Sequence, residues 1–246
     1  MSARAAFDAV AKRYDQVWTE SPAGRAQRDL VWREWDPVFS PGDRILDIGC
    51  GTGVDAAHYV SRGVIVEAVD ASLEMIRIAQ ARGGFSARVL RAEELAELEG
   101  PYDGAFSNFG ALNCVAELGG VSANLARLIR PGGVVAICTL GRFCAWEFLY
   151  YSVRGQFRKA LRRARGSAKS SLGIEVSYPS VARLAAAFRP AFKLRGWMGI
   201  GLTVPPSYVR LPPLLVRLFG ACDRTLARLP LLRALADHRL VLFVRN

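Results

Sequence analysis

The stretch Ile45-Leu46-Asp47-Ile48-Gly49-Cys50-Gly51-Thr52-Gly53 constrains this chain more than any other. A short apolar run of the kind buried in parallel sheets ends in alternating glycines, and Val54 to Arg62 then reads as a helix. Glycine lets the backbone approach a ligand closely and adopt conformations that a Cβ forbids. The helix N-terminus and exposed amides of such a turn then hold a polar or anionic group. Asp70 ends the next apolar run, 17 positions after Gly53. That is about the distance at which strand–turn–helix–strand units place a carboxylate to bind ribose hydroxyls. The glycines alone say little; their order with the strand, the helix and the terminal acid says much more.

The rest of the chain extends this rhythm. Ala5 to Phe39 reads as helix, broken near Ser21-Pro22 and resumed from Arg25 to Trp35. Strands are expected at Arg44–Ile48, Ile65–Val69, Ala87–Leu90, Tyr102–Ser107 and Val134–Leu140, with helices at Ser72–Arg82 (Ser72 as N-cap) and Gly120–Ile129 between them. Such alternation means βαβ units and an α/β fold with a parallel sheet. After Leu140 the pattern changes. Trp146–Arg165 reads as a basic amphipathic helix, followed by a Gly/Ser-rich loop through Ser171 and a helix over Ser180–Phe188. Phe192–Val204 and Arg239–Val244 read as the last two strands. Between them lies a Leu/Arg-rich helix, Leu214–Ala236, broken at Pro230 and preceded by a proline-bracketed loop. At 246 residues one domain is expected. We divide it into a helical cap (1–40), a core that carries the glycine-rich turn (41–140) and a further region (141–246) with a helical lid over 205–236.

A dinucleotide reading is testable on the turn itself. The register Gly51-x-Gly53-x-x-Ala56 formally matches G-x-G-x-x-G/A. It begins too far from the strand, however, and leaves Asp47 and Gly49 without a role. An acid beside the turn repels a pyrophosphate, whereas it suits S-adenosylmethionine, which carries an ammonium and a sulfonium.

Leu46 to Gly53 resembles motif I of the class I S-adenosylmethionine-dependent methyltransferases. Val69-Asp70-Ala71-Ser72 resembles the family's second acidic motif, and Arg130-Pro131-Gly132-Gly133 its turn before strand five. The upstream Phe7…Tyr14-Asp15 pattern is common in its small-molecule members. The resemblance covers Phe7 to Leu140. It implies a Rossmann-like, doubly wound, mostly parallel seven-stranded sheet, with the helical, basic insertion between the last two strands. S-adenosylmethionine is the implied cofactor. Gly49, Gly51 and Gly53, with Cys50 among them, are implied to line its methionine end, Asp70 to bind the ribose and Ala71 to touch the adenine. Asp47 would act indirectly, fixing the turn or the ammonium through water. Where relatives read Asp-Ala-Glu after strand three, this chain has Arg91-Ala92-Glu93. The adenine-amine contact is thereby displaced, with Glu93 as replacement and the Ala92 amide reaching the ring. Asn108 and Phe109 follow strand four, where donor and acceptor pockets meet.

Methyl transfer is an in-line displacement for which positioning supplies roughly 7–11 kcal/mol, and a general base is needed only when the acceptor loses a proton. The candidates near the acceptor are His238 (a base oriented by Asp237), Glu147 after the fifth strand, Tyr14 closing over the donor, and Asn113 as helix cap or acceptor contact. Each has a plain structural alternative in core packing or capping. His58 reads as structural.

Net charge separates the two parts of the chain. Residues 142–246 hold 19 Lys and Arg against four acids, a net +15, while residues 1–141 hold 14 against 18, a net −4. From Leu211 to Leu235, Leu214, Leu215, Leu218 and Phe219 alternate with Arg210, Arg217, Arg224 and Arg228. A helix of this composition either covers a hydrophobic acceptor pocket or lies in a membrane interface. We therefore expect a small-molecule or lipid-like acceptor and a peripheral membrane contact. Nucleic-acid (RNA) methylation is the rival reading, supported by the basic charge. Against it, Ser107-Asn108-Phe109-Gly110 stands where base-holding relatives carry Asn/Asp-Pro-Pro-Tyr/Phe, and the basic stretch from Leu211 to Leu235 is leucine-rich rather than interleaved with stacking aromatics. A catalytically silent S-adenosylmethionine binder is the third reading. Five scattered cysteines without a CxxC pair suggest neither disulfides nor a metal site. No leader pattern and no apolar run of spanning length is read, so a cytoplasmic, membrane-peripheral location is expected.

Overall fold

The computed structural model describes residues 3–246; Met1 and Ser2, the first two positions of the expected cap, lie outside the described residues. The N-terminal segment forms α1 (Ala3–Tyr14), a π-helical turn over Asp15–Thr19, and α2 (Pro22–Trp35). Ser21 caps α2 by accepting from the Gly24 amide at 3.0 Å, and Pro22 occupies the first helical position, where its missing N–H costs nothing.

The core then runs β1 (Arg44–Ile48), α3 (Val54–Ser61), β2 (Ile65–Asp70), α4 (Leu73–Arg82), β3 (Ser86–Val89), β4 (Tyr102–Ser107), α5 (Leu118–Leu128) and β5 (Ile129–Leu140). Ser72 caps α4, its Oγ accepting from the Met75 amide at 3.1 Å. Beyond β5 come α6 (Ala145–Ser152), α7 (Phe157–Ala160), a hairpin of β6 (Ser167–Lys169) and β7 (Glu175–Ser177), α8 (Val181–Phe188), β8 (Phe192–Ile200), α9 (Pro213–Leu226) and β9 (His238–Arg245).

Seven strands form one sheet in the order β3-β2-β1-β4-β5-β9-β8. The first five pair in parallel, and β9 runs antiparallel between β5 and β8. One face is covered by α5 and α8, with Leu125, Leu184 and Phe188 fully buried. The other is covered by α2, α3 and α4, through Trp35, Tyr59 and Ile76. The sheet is thus doubly wound. Chain order reverses between β1 and β4, which opens a crevice at their carboxyl ends.

Two expectations beyond Leu140 are corrected. Trp146–Arg165 is not one helix: α6 ends before Gly155, whose φ of 68° only glycine adopts easily, and α7 is a single turn. The lid segment is helical only over α9 and a short 3₁₀ turn, Leu232–Leu235. Its preceding loop is held instead by Asp223, whose carboxylate accepts from the amides of Gly201, Leu202 and Thr203 at 2.6–3.1 Å. The Gly/Ser-rich loop is drawn into the β6–β7 hairpin.

Candidate active site

At the crevice a cavity of about 490 Å³ is lined by Gly49 and Gly51 of the turn after β1 and by Asp70 and Ala71 at the end of β2. Ala92, Glu93 and Asn108 complete the floor, and Phe7 and Tyr14 of α1 the roof. Its size falls within the range of small-molecule sites. The three glycines take φ of 73°, 53° and 77°, yet they do different things. A Cβ on Gly49 would stand 2.2 Å from the Ala111 side chain, whereas one on Gly51 would meet nothing within 4 Å. Gly53 does not line the cavity; a Cβ there would strike Phe85 and Ala79, so this glycine seats α3 against α4. Cys50 and Asp47 are likewise buried behind the lining.

The turn also departs from an anion cradle. The amides of Gly49 and Cys50 donate to the Val69 carbonyl at 2.7 and 3.0 Å, and that of Gly53 to the Cys50 carbonyl at 3.0 Å. The Gly51 amide donates to Asp70 Oδ2 at 2.9 Å, and the Ser72 amide to Asp70 Oδ1 at 2.8 Å. Four amides of the turn, those of Gly49, Cys50, Gly51 and Gly53, are thus spent within the protein rather than offered to a phosphate.

Charge around the turn is negative. Asp47, Asp55 and Asp70 cluster near it, with Arg28 of α2 as the neighbouring cation. Burial, with Asp55 and Asp70 close by, pushes the Asp47 carboxyl well above its ordinary value against the pull of Arg28. Burial also raises Asp70, against the two amides that it accepts. Asp47 Oδ2 is buried without a hydrogen-bond partner. A buried acid short of a partner and surrounded by other acids is the environment that a cationic ligand relieves. The residues present thus fit a donor with a ribose and positive charge.

Two aspartates of the N-terminal segment fasten α1 over this cavity. Asp8 accepts from Ser72 Oγ at 2.6 Å and from the Glu74 amide at 3.1 Å. Asp15 accepts from Thr52 Oγ1 at 2.7 Å and pairs with Arg82.

A second cavity, of about 730 Å³, adjoins the first, and Tyr14 and Phe109 line both. Phe109 takes a φ of 46°, the only non-glycine positive φ among the described residues. Such strain persists where the surroundings fix it. Here the Phe109 amide donates to Asn108 Oδ1 at 2.9 Å, and its ring meets Trp18 edge-on at 4.4 Å and His238 at 5.3 Å. Asn108 Nδ2 in turn donates to Asp55 Oδ2 at 3.0 Å. Apolar and aromatic side chains (among them Trp18, Leu140, Leu172, Val176 and Tyr208) make up most of the chamber surface, with the ionisable groups Arg13, Arg162, Arg163, Asp237 and His238 and several neutral polar residues, Gln27 and serines, at its walls.

The sequence candidates separate here. His238 lines the chamber, and burial holds its imidazole below the ordinary 6.5 despite Asp237 beside it. It is not oriented by Asp237, because Nδ1 stands 3.6 Å from Asp237 Oδ2 and makes no hydrogen bond. Asp237 instead pairs with Arg163 at 2.8 Å. Tyr14 lines both cavities, and burial pushes its phenol up to about 12. Glu147 lines neither cavity. It is 1% exposed, and both oxygens are taken by Arg162 and Arg163 at 2.8–3.0 Å. Its placement makes it the anchor of the two arginines rather than an acceptor contact. Asn113 also lies outside both linings. It accepts from the Leu140 amide at 2.9 Å and donates to the Ser177 carbonyl at 2.6 Å, tying β5 to β7. His58 stacks on Trp32 at 4.0 Å and bonds Asp36, a structural setting. Arg28, Asp55 and Asp8 were not foreseen. The Arg28–Asp55 pairing, across 27 positions, has no local sequence pattern to betray it.

A methyltransferase-domain family model matches residues 45–133. The demethylmenaquinone methyltransferase of Parafrankia sp. (strain EAN1pec) is 31% identical over 228 residues, covering 80% of this chain and 86% of that protein. The protein of the same name from Mycobacterium sp. (strain KMS) is 32% identical over 140 residues, 54% of this chain. The chain spans 56% of that relative's length, so about half of several of the curated relatives that it matches. In fold, the chain is similar to an S-adenosylmethionine-dependent methyltransferase from Mesorhizobium loti, with a TM-score of 0.60 at 16% identity over 92% of this chain and 99% of the other.

Proposed function

Because the chain belongs to the family of S-adenosylmethionine-dependent methyltransferases, we propose that it methylates a hydrophobic small molecule held in the second chamber. The observation that carries this reading is the shared wall: Tyr14 and Phe109 border both cavities, so the two ligands meet at these residues. When bound, S-adenosylmethionine supplies a methyl group already activated by the sulfonium. Asp70 holds the ribose, Ala71, Ala92 and Glu93 the adenine side, and Asp47 answers the positive charge. Residues 1–40 cap this donor core (41–140), and 141–246 supply the acceptor side.

The chain's own groups then set geometry and proton traffic. Tyr14 keeps its phenolic proton, which burial holds still more firmly, and can donate it in a hydrogen bond at the shared wall. His238, kept neutral by burial, takes the proton that a hydroxyl or amine acceptor must lose. The apolar walls favour a ring-bearing, lipid-like acceptor, and the names of the relatives favour the quinone class. This reading brings with it a peripheral membrane contact of the basic C-terminal segment, from which such an acceptor is drawn.

The test is mass-spectrometric detection of methylated product and S-adenosylhomocysteine. The acceptors are demethylmenaquinone, other hydrophobic phenols, polar phenols and short RNA. Transfer to the hydrophobic set alone supports the proposal. Transfer only to RNA, or donor binding without transfer to any acceptor, removes it.

A further inference from the structure

Helix α9 packs Val216 and Gly220 inward, against Ala23 and Val204, and leaves a second apolar stripe facing outward. Leu214 and Leu218 are 76% and 58% exposed, with Leu215 beside them, while Asp223 on the opposite side is fully buried under the loop that it anchors. An ordinary surface helix carries polar residues on the side away from its packed stripe, where α9 carries these leucines. The exposed apolar surface extends to α6 and α7 through Phe148, Leu149, Val153 and Phe157. The two regions adjoin: the half-buried rings of Trp146 in α6 and Phe219 in α9 lie 6.3 Å apart, and the exposed Tyr208 of the intervening loop meets Tyr150 at 5.2 Å. Exposed apolar side chains on adjoining elements mark an interaction surface.

Arginines interleave with it. Arg158, Arg210, Arg217 and Arg224 are exposed and make no ion pair with another described residue. On α9, Arg217 and Arg224, two turns apart, lie beside the outward leucines. A second copy of the chain would bring this cationic face against itself, and the segment's net +15 opposes that. An anionic lipid surface satisfies both features, accepting leucines among acyl chains and arginines among phosphates.

We propose that α9, with α6 and α7, seats the protein on anionic bilayers, and that Tyr151 and Tyr208 place the acceptor chamber beside the lipid. Both tyrosines line that chamber. The inference rests on the hydrophobic-acceptor reading only for its purpose, not for its geometry.

Flotation of the full chain with vesicles tests it, using phosphatidylcholine alone and phosphatidylcholine with phosphatidylglycerol. Variants are Leu214→Gln/Leu218→Gln and Arg217→Glu/Arg224→Glu, with calorimetric S-adenosylmethionine affinity as the check on folding. The expected result is binding to the anionic vesicles, weakened at least about tenfold in each variant and by high salt, with donor affinity unchanged. Absence of vesicle binding in a protein that binds donor overturns the proposal. So does a leucine-dependent self-association with no lipid binding, or vesicle binding that the variants leave intact. Methyl transfer is not measured here, so failure of the acceptor reading remains separable.

Discussion

The Arg28 guanidinium stands 2.5 Å from Asp55 Oδ2 and 5.0 Å from the centre of the Phe109 ring. One buried ion pair therefore joins α2, the start of α3 and the wall between the two cavities. Asp55 also accepts from Trp32 Nε1 at 2.7 Å and from Asn108. Three side chains, two on α2 and one just after β4, are fixed by one carboxylate, and the strained backbone at Phe109 rests beside them.

Removing one partner of a buried pair leaves an uncompensated charge, which costs about 3–5 kcal/mol. Asp55→Ala is expected to lower unfolding stability by that amount in urea titrations. Arg28→Met with Asp55→Leu recovers most of it. A loss below about 1 kcal/mol in the single variant would mean a solvated pair.

Asp47 gives donor binding a pH dependence. Its raised carboxyl binds a proton more readily than an ordinary aspartate, and a cationic ligand favours the ionised form. Affinity for S-adenosylmethionine is therefore expected to fall as pH falls through the raised pKa, with proton release on binding. Calorimetry in buffers of different ionisation enthalpy reads this directly. Asp47→Asn abolishes the release; an unchanged release in that variant assigns it elsewhere.

His238 has the opposite role in stability. Its pKa is held below 6.5 in the folded chain, so between 6.5 and that lower value the unfolded chain takes up a proton that the folded chain refuses. Stability is fully present above pH 6.5 and is lost as pH falls through this window. His238→Gln should flatten that part of the stability profile and lower transfer to a protic acceptor by roughly 10²–10⁴. A variant with full activity would leave His238 a wall residue.

The bonds of Asp15 to Thr52 and Arg82 predict a milder effect on the donor. Asp15→Ala is expected to weaken donor binding roughly two- to tenfold, the worth of about one net hydrogen bond. The readout is the calorimetric Kd. An unchanged Kd would mean that α1 contributes no closure.

Much of the fold was legible because its signals are local. The apolar run into Gly49-Cys50-Gly51, the acid at Asp70 and the Ser72 cap each lie within a few residues, and periodicity placed the strands around them. The sheet order follows from βαβ handedness and short connections. What escaped is non-local. Glu147 sits where an acceptor contact was expected, but Arg162 and Arg163, 15 and 16 positions on, claim its oxygens. Asn113 was open between cap and contact, and Ser177, 64 positions away, decided for neither. Trp146–Arg165 had helical periodicity throughout, and the break at Gly155 prevailed over it. Pairings formed across the insertion leave no periodic trace.

The most direct test of the account is calorimetric titration of the full chain with S-adenosylmethionine, beside Asp70→Asn and with NADH as control. The account predicts one-to-one binding of S-adenosylmethionine and none of NADH, weakened about ten- to a hundredfold in the variant, as for a lost hydrogen bond to a charged group. No heat with S-adenosylmethionine, or binding that Asp70→Asn leaves unchanged, would contradict it.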